Sequence, residues 1–143
     1  MGLISFFRNL CKSKRSQARR IFISFAIEDQ EYRNYLVQQA KQTHSPFSFI
    51  DMSVKTNWPE HEWKEKCYQK IKRCHAVIVL LSNNTYHASG VRWEMRCANE
   101  LGVPLVGMHI RKNDKSAVPV EIRRKNVMEW SWHNLEQLVK NLK

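Results

Sequence analysis

Ala76–Leu81 reads AVIVLL, an unbroken apolar run with His75 before it and Ser82 after it. It is far shorter than the roughly 18 residues of a membrane span. A strand of this kind, with no polar face, must be covered by helices on both sides, as in a parallel sheet. Four further segments carry weaker forms of the same signal: Ile21–Ala26, Phe47–Asp51, Pro104–Ile110 and Asn126–Trp130. Between them the apolar period changes to that of a helix. Tyr32, Leu36, Val37 and Ala40 form one stripe, opened by Glu28 and Asp29, whose charge suits the positive end of a helix dipole. Trp63, Cys67, Ile71 and Cys74 form a second stripe, and Val91, Met95, Ala98 and Leu101 a third, with Gly102 as its C-terminal cap. Leu135, Leu138, Val139 and Leu142 form the last. The polar stretch Arg111–Lys125 predicts no regular element.

Strands alternating with helices of this length imply right-handed crossovers around a parallel sheet. Such sheets bind ligands beyond the carboxyl ends of their strands, where the strand order reverses. In this chain that rim comprises Phe25–Asp29, Asp51–Pro59 and Ser82–Glu94, and a functional site is expected there.

Composition narrows the classes. A chain of 143 residues can bury one core, and its 43% hydrophobic and 26% charged content is that of a globular domain. The net charge of +11 is uneven: Arg8, Lys12, Lys14, Arg15, Arg19 and Arg20 all precede residue 21 with no acidic residue among them. Residues 1–19 read as a basic leader with an apolar stripe of Leu3, Phe6, Phe7 and Leu10, and residues 20–143 as the domain. The leader is expected to dock on the domain or to be solvated; a membrane-surface anchor or a partner-binding arm is the rival reading, and a leader-driven membrane or nucleic-acid binder is the weakest of the function classes. Arg8 interrupts the only early apolar stretch, so a cleavable signal peptide is not expected, and Phe6 stands where a myristoylation signal needs Ser or Thr. Cys11, Cys67, Cys74 and Cys97 include no C-x-x-C pair and are expected as reduced, packed thiols, which points to the cytoplasm.

Several chemistries lack their residues. The glycines, Gly2, Gly90, Gly102 and Gly107, build no G-x-G-x-x-G loop, and no G-K-[ST] exists, which removes the usual dinucleotide and triphosphate cradles. Ser82 occupies the end of the central strand, where a phospho-acceptor domain needs Asp. His61–Glu62 lacks the second histidine of an H-E-x-x-H site, so no metal is expected. One carboxylate stands out by position: Glu94, early in the third helix, within Gly90-Val91-Arg92-Trp93-Glu94-Met95. A surface glutamate near a helix start is the plain alternative.

Arg20–Leu36, RIFISFAIEDQEYRNYL, resembles the opening box of TIR domains, in which a strand ending in Ser-aromatic leads to an acidic residue and a helix. The central strand running into Ser82, then Trp93-Glu94-Met95 and Gly102-Val103-Pro104-Leu105-Val106, resembles the later TIR boxes in the same order. The likeness spans residues 20–140 and is nearest to the TIR-like proteins of bacterial Thoeris anti-phage systems. It implies an α/β, flavodoxin-like three-layer sandwich with a five-stranded parallel sheet of order 2-1-3-4-5. For many bacterial members it also implies cleavage of NAD, as substrate with no other cofactor, at the nicotinamide–ribose bond, in the manner of an NAD glycohydrolase or ADP-ribosyl cyclase. Glu94 matches the catalytic glutamate. Phe25 and Ala26 would line the dinucleotide, with Ser82 and Asn83 across the cleft, and Trp93 could stack on a ring or join the core. The product, a linear, cyclic or conjugated ADP-ribose derivative, would activate a separate effector, and TIR–TIR self-assembly would complete the site. Many NAD-cleaving TIR domains show Trp-x-x-x-Glu, whereas Gly90 stands at that Trp position here. The alternative function is a TIR module that acts only by binding other TIR domains or an effector; a surface, salt-bridged Glu94 and the absence of a cleft at the rim would favour it.

Overall fold

The computed structural model describes residues 19–42, 47–50 and 58–142. Its centre is a five-stranded, all-parallel sheet in the order β2-β1-β3-β4-β5, built from β1 (Arg19–Ser24), β2 (Phe47–Ile50), β3 (Ala76–Leu81), β4 (Leu105–His109) and β5 (Val127–Glu129). The helices are α1 (Gln30–Gln42), α2 (Glu60–Lys72), α3 (Ser89–Leu101) and α4 (Trp132–Lys140). This is the expected flavodoxin-like sandwich. Residues 1–18 of the leader, the connection 43–46, Asp51 and the greater part of the Asp51–Pro59 rim segment lie outside the described residues.

All six residues of β3 are buried because helices cover both of its faces. Strand alternation divides the core into two layers. Phe22, Val77, Val79, Leu81 and Leu105 meet Cys67 and Ile71 of α2 and Val91, Met95 and Ala98 of α3. Ile21, Ile23, Ile78, Leu80, Val106 and Met108 meet Leu36 and Ala40 of α1 and Leu135 and Val139 of α4. Each fully buried Ile, Leu or Phe contributes about 1.5–3 kcal/mol through burial.

Sheet pairing moves several element edges. β1 starts at Arg19, which pairs with Phe47, and ends at Ser24, so Phe25 and Ala26 fall in the turn that follows. Glu28 and Asp29 belong to a separate 3₁₀ turn, Ile27–Asp29, closed by the Asp29 N–H on the Ala26 carbonyl, and α1 starts only at Gln30. Cys74 lies just beyond α2, and Leu142 beyond α4. Gly102 caps α3 as expected: at φ 70° it takes the left-handed conformation that glycine adopts without strain, and its N–H reaches the Ala98 and Asn99 carbonyls. Ser131 caps α4, its side chain accepting from the Asn134 N–H.

Candidate active site

Glu94 is the sixth residue of α3 and lies on the same stripe as Val91 and Ala98, which turns it inward rather than to solvent. It is 6% exposed. A carboxyl group buried to this degree is costly unless hydrogen-bonded. The partners come from two other elements. Ser24 ends β1 on the same face as Phe22, and its hydroxyl donates to Glu94 Oε1 at 2.8 Å. Cys67, one turn before Ile71 on the inner face of α2, donates its thiol to Glu94 Oε2 at 3.4 Å. Burial first, and then the charge and hydrogen bond of Glu94, push the Cys67 thiol far above its ordinary value, so it stays a protonated donor. Two donors on two oxygens suit an acceptor-only carboxylate and fix its orientation.

Beside this clamp a second network ties the exits of β1 and β3 together. Asp29, 3% exposed, accepts from Ser82 Oγ at 2.6 Å and from Asn84 Nδ2 at 3.1 Å. The Ser82 hydroxyl also accepts from the Asn84 N–H at 3.0 Å. Thr85, fully buried, takes the Ser82 N–H at 2.9 Å and donates to the Leu80 carbonyl at 3.0 Å. These bonds set the loop that delivers the first turn of α3.

Among the other residues expected at the site, Ala26 is buried within the turn that follows β1 and Phe25 packs partly against the α1–α4 layer. The Ser82 hydroxyl is committed to Asp29, while Asn83 next to it is exposed. Trp93 packs on Trp63 of α2 with ring centroids 5.7 Å apart, and the Lys64 ammonium lies 5.8 Å from the Trp93 ring centroid. A Cβ placed on Gly90 would meet the Trp63 ring at 3.5 Å, an ordinary contact. The absent side chain of residue 90 therefore has an indole from α2 beside it.

Ser24, Cys67 and Asp29 escaped the sequence reading as partners. Ser24 left a trace, as a lone hydroxyl at an inward position of an apolar strand. Cys67 left none, since a thiol on an apolar stripe reads as packing. Among the described residues, no three His, Cys, Asp or Glu side chains gather as metal ligands, and no helix is long and apolar enough to cross a membrane.

A parallel five-stranded sheet of order 2-1-3-4-5, with a buried carboxylate held at the carboxyl end of β1, defines a flavodoxin-like α/β protein. The profile of the TIR-like domain of Thoeris protein ThsB matches residues 22–115, about two thirds of the chain. The chain belongs to that family, the TIR-like proteins of Thoeris anti-phage systems. A comparison with curated proteins finds no match. Among solved structures, the chain is similar to a 2-desoxiribosyltransferase from Leishmania mexicana at a TM-score of 0.59 and 14% identity, over 86% of this chain and 98% of that one. At that identity the likeness concerns the fold alone.

Proposed function

We propose that this protein cleaves NAD at the nicotinamide–ribose bond and releases an ADP-ribose-derived signal that activates a separate effector in anti-phage defence. The observation that carries the reading is the placement of Glu94, an inward carboxylate fixed by Ser24 and Cys67 at the rim where such sheets bind ligands. Nicotinamide leaves NAD from a cationic pyridinium, so its departure needs no general acid. The barrier lies in the oxocarbenium-like ribose, and a fixed anion stabilises that charge as it develops. Glu94 does so with little reorganisation, because its two hydrogen bonds already hold it. Asp29, held by Ser82 and Asn84, is given a structural role in this scheme, tying the exits of β1 and β3 together. Water reaching the ribose carbon gives linear ADP-ribose, and a hydroxyl of the same nucleotide gives a ring.

The test is incubation of the protein, Glu94→Ala and Glu94→Gln with NAD, following nicotinamide release and product mass. Loss of one charge-stabilising group is expected to lower turnover about 10²–10³-fold. Product mass and retention then separate hydrolysis from cyclisation or conjugation. Turnover that survives in both variants removes Glu94 from the chemistry. A second reading is the non-catalytic interaction module. Absence of turnover in the presence of phage-infected lysate, together with capture of a TIR partner, supports that module.

A further inference from the structure

On the opposite face of the sheet from Glu94, a cleft of about 490 Å³ opens between α1 and the ends of β4 and β5. Glu31, Tyr32, Tyr35 and Leu36 of α1 line one wall, and Ile110 and Trp130, each just beyond its strand, line the other. Its size falls in the range of small-molecule sites. Its aromatic walls are held in place. Gln39 of α1 accepts from the Trp132 indole N–H at 3.0 Å and donates to the Tyr35 hydroxyl at 2.5 Å. Trp132 in turn packs edge-on against Trp130, with centroids 5.6 Å apart. Despite this bracing, Tyr32 and Tyr35 are 39% and 59% exposed, which leaves aromatic surface open to solvent.

Charge says what kind of ring fits. The Arg111 guanidinium stands 5.8 Å from the centroid of Tyr32, so a cation lies beside the aromatic wall. Lys112 follows it, and the first turn of α1, the positive end of that helix, contributes Glu31 and Tyr32 to the lining. An organic cation would meet Arg111 as a like charge. A planar ring that carries an anion meets complementary groups at each part. Glu31, the single acidic group in the lining, suits hydroxyls that donate to it.

We propose that this cleft is a mononucleotide-binding site, separate from the Glu94 site and independent of the NAD-cleavage reading. The base lies against Tyr35 and Trp130, the ribose hydroxyls donate to Glu31, and the phosphate faces Arg111. Stacking on an aromatic side chain and a charge-assisted contact to phosphate together supply both affinity and orientation.

The test uses the full chain and AMP as the probe, followed by calorimetry and by the indole N–H resonance of Trp130. AMP is expected to bind with a Kd below about 1 mM, to weaken as salt is raised, and to exceed adenosine by about 10-fold or more. Ribose 5-phosphate, which has the anion but no ring, is expected to bind more weakly than AMP. Arg111→Ala and Tyr35→Ala alter exposed side chains, so both are expected to keep the wild-type circular dichroism while losing about 10-fold or more in affinity. Glu94→Gln is expected to bind AMP as wild type does. No heat and no Trp130 shift at about 5 mM AMP overturns the proposal. So does binding that persists in Arg111→Ala and Tyr35→Ala but disappears in Glu94→Gln, since that places the nucleotide on the other face.

Discussion

Ser24→Ala removes the hydroxyl that donates to Glu94 Oε1 over 2.8 Å and leaves the backbone of β1 intact. Glu94 is 6% exposed and Ser24 1%, so bulk water cannot readily replace that donor. A hydrogen bond to a charged group contributes about 1.5–3 kcal/mol, against about 0.5–1.5 kcal/mol between neutral groups. Glu94 keeps the Cys67 thiol at Oε2 and has further contacts, which places the expected loss near the lower end, about 1.5–2 kcal/mol. In Glu94→Gln the amide oxygen is still an acceptor, but a neutral one, and the same Ser24→Ala change costs about 0.5–1 kcal/mol. The double-mutant cycle is therefore expected to show a coupling of about 1 kcal/mol. Urea unfolding of the four proteins near neutral pH, followed by circular dichroism with a common slope, measures it. If Ser24→Ala costs the same in both backgrounds within about 0.3 kcal/mol, the charge of Glu94 is not coupled to Ser24 and the clamp as described is refuted.

Removal of the α4 cap by Ser131→Ala is expected to cost about 1 kcal/mol, and Ser131→Gly only a few tenths, read as melting-temperature shifts in calorimetry. Gly107→Ala puts a Cβ 2.7 Å from Leu81 Cδ1 and 3.2 Å from Ile122 Cδ1. Because Leu81 is 1% exposed and closely packed, the overlap is expected to destabilise by about 1–3 kcal/mol in urea, with partial recovery in Gly107→Ala/Leu81→Val. Glu121 accepts two bonds from Arg92, at 2.7 and 2.8 Å; burial raises its pKa, but these bonds outweigh it and hold the group below its ordinary value. A depressed folded value means stability that is present above the unfolded pKa, 4.5, and is lost as pH falls below it. Stability measured from pH 7 down to pH 3 is expected to decline less steeply in Glu121→Gln than in the wild type, and equal slopes would contradict the assignment.

Much of the architecture was legible because periodicity reports it directly. AVIVLL reads most strongly as a central strand covered on both faces, and the stripes of Leu36 and Ala40, Cys67 and Ile71, and Val91, Met95 and Ala98 are the stripes that pack. Element edges were less legible, because pairing rather than apolarity sets them. Arg19 looks like leader and Ala26 like strand, yet Arg19 pairs with Phe47, while the Ala26 carbonyl turns to take the Asp29 N–H. Asp29 read as a residue answering a helix dipole; in the fold it is a buried acceptor that joins two loops.

By itself, then, the chain determined an alternation of strands and helices and the α/β class, since both depend on local spacing, while Glu94 drew its weight from the resemblance to TIR domains. Only the tertiary structure decided what surrounds that carboxylate. Ser24 is 70 positions from Glu94 and Cys67 is 27, and no local period relates them. They meet because the crossovers set α2 and α3 side by side on one face of the sheet, and because strand alternation points the last side chain of β1 toward that same face.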